Sequence, residues 1–194
     1  MAPKSIAEIG CGAGEILNQL YMQMDNDVSF IGYEISPYAF EMCKQKTNDR
    51  LHFSLEDALK NNAFFDIVMA IDVVEHIEDY FGFLRTIRNK GKYKIFHIPL
   101  EMSVIKTLFP SYLIKSRKKA GHIQYFNKDT ALATLADTGY EIIDYFYTNG
   151  SNELQSSRNW ENMMLKFPRK ILYLINNDLP AKLLGGYSLL VLAK

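Results

Sequence analysis

The segment FFDIVMAI, residues 64–71, holds one polar residue, Asp66, in a run too short for an ordinary helix and apolar at both odd and even positions. A strand of this kind has no side to turn to water, so the fold must lay something against each of its faces. The surrounding sequence supplies those layers. Ser5 to Ile9 reads as a short strand, and Ala13 to Met24 carries apolar residues at 13, 16, 17, 20, 21 and 24, the stripe of a helix. VSFIGYEI then reads as a second strand; Ser36 and Pro37 cap and open a helix running to Gln45; RLHFSLE is a third strand. After the fourth strand, a helix from Tyr80 to Asn89 ends near Gly91, and YKIFHIPL is a fifth strand closed by Pro99. Strands alternating in this way with helical or loop crossovers predict an α/β, doubly wound, Rossmann-like parallel sheet.

Beyond residue 100 the pattern loosens. Residues 102–119 mix apolar and basic side chains, Asn127 caps a helix that runs to Asp137 before Gly139, and YEIIDYFYT reads as a strand. Residues 149–162 are polar and turn-like, Phe167 to Ile175 has amphipathic helical spacing, and YSLLVLA is a last strand. A length of 194 residues suits a single domain spanning 1–194, with elaborations at 100–126 and 149–182.

Charge narrows the partners. The 22 basic and 22 acidic residues cancel, which argues against wholesale binding to nucleic acid or an anionic membrane. There is no secretory leader pattern and no apolar stretch of about 18 residues, the length a membrane span requires. Cys11 and Cys43 form neither a CxxC pair nor a disulfide framework, and a reducing, cytoplasmic setting is expected.

The chemistry is concentrated after the first strand, in IAEIGCGAGEIL. Gly10, Gly12 and Gly14 remove side chains where, in an open parallel sheet, ligands bind beyond the strand ends. The spacing departs from the dinucleotide fingerprint because Glu15 stands where its third glycine belongs, and an anion at that helix start disfavours a pyrophosphate. Glu34 ends the second strand and can accept from a ribose diol, or simply stand solvated. Asp57 can accept from an exocyclic amine such as that of adenine, or cap the next helix. Asp72 follows the fourth strand and opens DVVEH.

Together, AEIGCGAGEIL, IGYEIS, SLEDAL, FDIVMAIDVVEHIEDYFGFL and GHIQYFNKDTALATLADTGYEII resemble the class I S-adenosylmethionine-dependent methyltransferases, in particular the small-molecule group of the ubiquinone-biosynthesis type. The resemblance spans most of residues 5–148 and, more weakly, the last strand. It implies seven strands in the order 3-2-1-4-5-7-6, the last antiparallel, and S-adenosylmethionine as cofactor. Gly10, Cys11, Gly12 and Gly14 would pass under the methionine part with Glu8 orienting the loop; Glu34 would bind the ribose and Ile35 line the adenine. Glu56, Asp57 and Ala58 would meet the adenine edge, and Ile71, Asp72 and Val73 the methionine moiety. Family members usually carry a few dozen residues before the first strand, so the N-terminus reads as shortened. A cover is then expected from 102–119, 149–180 or a second subunit.

Methyl transfer to a hydroxyl or amine needs alignment and a base. His76, on the rim after the fourth strand with Glu75 or Asp79 to orient it, and His122, in GHIQYF, are the candidates; each can equally be a capping or packing histidine. His52 and His97 lie inside strands and read as structural. EHIED groups Glu75, His76, Glu78 and Asp79, but no second histidine lies at ligand spacing, so no metal is expected. Lys115, Arg117, Lys118 and Lys119 permit an anionic or sugar-linked acceptor, although such a run is usually a solvated face. The segment around Arg169, Lys170 and Lys182 permits a peripheral membrane contact or a homodimer face. The expectation is therefore transfer to oxygen, or nitrogen, of a small metabolite; the alternatives are a non-catalytic cofactor-binding domain and a nicotinamide-dependent oxidoreductase.

Overall fold

The computed structural model describes residues 2–25, 27–148, 168, 171–172, 174–176 and 178–194. Its sheet contains β1 (Ser5–Ile9), β2 (Ser29–Glu34), β3 (Leu51–Leu55), β4 (Phe65–Ile71), β5 (Gly91–Leu100), β6 (Ile142–Thr148) and β7 (Tyr187–Ala193). The order is β3-β2-β1-β4-β5-β7-β6, with β7 antiparallel to both neighbours and the first five strands parallel.

The apolar run that dictates two covering layers finds them. On β4, Val68 and Ala70 pack into one cluster with Phe83, Leu84 and Ile87 of α3 (Tyr80–Arg88) and Ala131 and Leu135 of α6 (Lys128–Asp137). Met69 packs the other way, with Leu17 of α1 (Glu15–Gln23) and Cys43 of α2 (Pro37–Cys43). Alternation along a strand sends successive side chains to opposite faces, which is why an unbroken apolar run serves both layers.

Local signals set the helix starts. Ser36 caps α2, with Pro37 in its first turn, and Asn127 forms a reciprocal capping box with Thr130 at α6. Asp79 caps α3 by accepting from the Gly82 amide at 2.9 Å, so it serves the helix and not His76, correcting the orienting role expected for it. Residues 102–119 form two short helices, α4 (Val104–Leu108) and α5 (Ser111–Ala120). A further helix, α7 (Leu179–Leu184), precedes β7. The described residues between 168 and 175 are helical; the turn-like stretch expected at 149–162 lies outside the described residues. No helix among the described residues is long and apolar enough to cross a membrane.

Candidate active site

The β1–α1 loop is lashed to β2: the amides of Gly10 and Cys11 both donate to the Tyr33 carbonyl, at 2.8 and 3.1 Å. Two of its glycines are required for different reasons. Gly10 has φ +72, and a Cβ there would lie 2.8 Å from Val73 Cγ2, so the position is closed by packing. Gly12 has φ +54, and a Cβ there would meet nothing within 4 Å. A left-handed backbone facing open space is what a ligand-binding loop presents.

Glu34, at the end of β2, accepts from the amides of Gly12, Ile35 and Ser36, each at 2.8 Å. Three backbone bonds take most of the roughly four lone-pair directions of a carboxylate. Glu34 therefore ties the glycine loop to β2, and a ribose hydroxyl would have to share it. Beside it Ile35 is 72% exposed, an apolar side chain left uncovered next to the loop. Asp57 realises the capping alternative, accepting from Leu59 at 3.0 Å at the start of a 3-10 turn over Ala58–Lys60. Glu56 is exposed, whereas the Ala58 side chain is buried in the core.

Glu8 lies on the β1 face that also carries Ile6, registered between Gly32 of β2 and Met69 of β4. It is 2% exposed and its Oε2 has no hydrogen-bond partner. Burial pushes its carboxyl up to about 8. Glu15, in the first turn of α1, faces Lys46 at 3.7 Å, and Lys46 is itself bonded to the Ala13 carbonyl.

The end of β4 leads into the second half of the site. Asp72 has φ +52, a left-handed conformation that costs energy in a residue with a side chain. Its carboxylate lies 2.6 Å from His97 Nδ1, and His97 Nε2 lies 2.7 Å from Thr148 Oγ1. His97 thus reaches the rim of the site from inside β5, a position that strand placement alone does not reveal.

A 3-10 turn over Val74–His76 follows. Glu75 is fully buried, with neither carboxylate oxygen hydrogen-bonded, and its carboxyl is pushed up to about 7, chiefly by burial and further by Asp72. Its backbone carbonyl accepts from Ile123 and Gln124 at 2.8 and 3.0 Å, which draws the 121–124 loop onto the turn. That contact brings His122 to His76, with ring centroids 4.9 Å apart. The second histidine that sequence spacing does not offer is supplied from across the fold. His122 Nδ1 lies 3.0 Å from Glu101 Oε2, and Ser116 of α5 donates to Glu101 Oε1 at 2.5 Å. The bond to Glu101 raises the His122 pKa, with burial opposing it; at Glu101 itself burial is outweighed by the His122 and Ser116 bonds, which hold its carboxyl below the ordinary range. Lys115, Arg117, Lys118 and Lys119 are exposed on α5.

An open cleft of about 410 Å³ lies beyond β5, lined by Met102, Val104, Thr107 and Leu108 and edged by Asp129 and Lys182. Another, of about 370 Å³, lies at the opposite end of the sheet, before β4, and is remote from these groups.

Residues 1–145 match the methyltransferase domain family. The chain belongs to that family. The methyltransferase shares its architecture with solved structures of low sequence identity. It is similar to the magnesium protoporphyrin IX methyltransferase of Synechocystis PCC 6803 with bound SAH, at 16% identity and a TM-score of 0.61, over 97% of this chain and 72% of that one. A SAM-dependent methyltransferase from Archaeoglobus fulgidus matches at 20% identity and 0.65, over 98% and 86%. One from Mesorhizobium loti matches at 14% and 0.64, over 99% and 90%.

Proposed function

We propose that this methyltransferase moves a methyl group from S-adenosylmethionine to a hydroxyl oxygen of a small metabolite, in the manner of the ubiquinone-biosynthesis type it resembles. The observation that carries the reading is that Val73 joins the two halves of the site. Its side chain packs against Gly10 of the cofactor loop, and the next three residues are the turn holding Glu75 and His76. A donor on the loop and an acceptor at the cluster would therefore be neighbours.

The residues present suit this cofactor. The open face at Gly12 admits a ligand, and Glu34 with Ile35 offers a carboxylate and an apolar surface for a ribose and an adenine. The unpartnered, buried Glu8 Oε2 suits a ligand that brings an ammonium group, and Glu15 at the helix start suits one without phosphate. In this assignment Gly10, Cys11, Gly12, Gly14, Ile71, Asp72 and Val73 surround the methionine part, with Glu56, Asp57 and Ala58 toward the adenine. When bound, S-adenosylmethionine supplies a methyl group on a cationic sulfur.

The chain's own residues have two tasks. The loop and the cluster hold donor and acceptor in line, and ordering of that kind is worth up to about 7 to 11 kcal/mol of barrier. The Glu75, His76 and His122 cluster strips the acceptor of its proton, a contribution of roughly 10² to 10⁴ in rate. The cleft beyond β5 takes the body of the acceptor. Calorimetry with S-adenosylmethionine, S-adenosylhomocysteine and NAD tests the cofactor; binding of NAD alone would refute it. Transfer of labelled methyl to a panel of phenols, sugars and amines tests the acceptor, and transfer to amines only would replace oxygen by nitrogen.

A further inference from the structure

We infer that Glu75, His76 and His122 form a binding site for one divalent transition-metal ion, with Zn²⁺ the best match. One ligand atom from each of the three lies within 4.8 Å of the others. The Nε2 atoms of His76 and His122 stand 3.9 and 4.0 Å from Glu75 Oε1. Ligands bound to zinc at about 2.0 to 2.1 Å in a tetrahedron are spaced about 3.4 Å apart, so an ion would have to shorten the two edges to Glu75 by roughly half an ångström and the widest edge of the cluster by up to about 1.4 Å.

Orientation carries the argument further than distance. His76 Nδ1 lies 3.2 Å from the Gly121 carbonyl oxygen, which can only accept, so Nδ1 holds the proton and Nε2 holds the lone pair. His122 Nδ1 faces the Glu101 carboxylate at 3.0 Å, with the same consequence for its Nε2. Metal-ligating histidines are held in this way, the far ring nitrogen donating to a carbonyl or a carboxylate. Both free nitrogens stand over Glu75, whose side chain is 1% exposed and whose two oxygens have no donor. A protonated His122 does not satisfy that carboxylate, because 4.0 Å is beyond hydrogen-bond range. A dication bound between the three side chains would.

Two imidazoles and one carboxylate select against Mg²⁺ and Ca²⁺, which prefer all-oxygen shells, and match the three-ligand set of catalytic zinc with a position left open. That position would face the proposed acceptor, so the cluster would act on the acceptor hydroxyl through the ion, lowering its pKa so that its proton passes to water. This role rests on the proposed oxygen methylation; the ion site does not.

The test uses the full chain freed of metal by dialysis against a chelator. Titration with Co²⁺ should give visible d–d bands that saturate at one ion per chain and are displaced by Zn²⁺. Glu75→Gln, which keeps the shape and removes the buried charge, and His122→Ala should each weaken binding at least 100-fold, and Glu101→Gln 10- to 100-fold through the His122 ring. Circular dichroism reports whether each variant is folded. Absence of a saturating Co²⁺ signal, or a signal that folded Glu75→Gln retains at full strength, overturns the site. If the ion binds as expected and no hydroxylated acceptor is methylated with or without it, the site stands and the oxygen-methylation reading falls.

Discussion

Glu8 allows a prediction whose size follows from its position. Its carboxyl is buried on the strand that feeds the glycine loop, Oε2 has no donor, and its pKa moves from 4.5 to about 8 on folding. Between those values the folded protein keeps a proton that the unfolded chain has released. Stability therefore falls as pH rises from 4.5 toward 8 and levels off above it, at about 1.4 kcal/mol per pH unit for this group, or on the order of 5 kcal/mol across the window. Glu8→Gln fills the same volume and has no proton to lose. Urea unfolding of the wild type and the variant, from pH 5 to 8.5, should give curves that separate with rising pH, the variant gaining several kcal/mol by pH 8. Comparing the pair cancels the other titrating groups. A difference that stays flat with pH would refute the reasoning, since the carboxylate would then be compensated in the fold.

Four other substitutions separate binding from stability. Gly12→Ala places a methyl in open space at φ +54, so it should cost about 1 to 2 kcal/mol of stability yet block S-adenosylmethionine binding measured by calorimetry. Gly10→Ala drives a methyl against Val73 and should instead lower stability by roughly 2 to 4 kcal/mol, read as a fall in Tm. Glu34→Ala removes a buried carboxylate that three amides share; cofactor affinity should drop about tenfold or more, as expected for a charge-assisted bond of about 1.5 to 3 kcal/mol. Asn127→Ala removes the capping box of α6 and should cost about 1 kcal/mol in urea unfolding.

The parts of the molecule legible in the sequence are those governed by neighbours along the chain. Ser36 and Asn127 mark helix starts because a cap acts within three residues, and the double-sided burial of β4 is written in its unbroken apolar run. The cluster around Glu75 is not written that way. His122 arrives through two hydrogen bonds, donated by the Ile123 and Gln124 amides to a carbonyl 48 residues or more earlier, and no spacing rule records such a contact. His97 looks structural as a strand residue, yet the parallel register that sets it against Ile71 puts it beside Asp72. Asp79 shows the opposite case, a carboxylate near a histidine whose shorter-range use, capping α3, prevails. The sequence carries two signals: a histidine near the C-terminal end of a strand in a parallel sheet, and a Glu set among apolar residues just after a strand, in IDVVEHI.

The insertion of β7 between β5 and β6 sets an order of assembly. β6 (Ile142–Thr148) joins the sheet through β7, and β7 (Tyr187–Ala193) lies about forty residues later in the chain. During synthesis the first five strands can pair as they emerge, while β5 keeps an unpaired edge and the β6 hydrogen-bonding groups wait. Closure of the sheet is thus deferred to the last strand, and until then the edge of β5 is exposed to mispairing with another chain. Factors that shield nascent chains should matter more to this protein in that interval than its modest size would suggest.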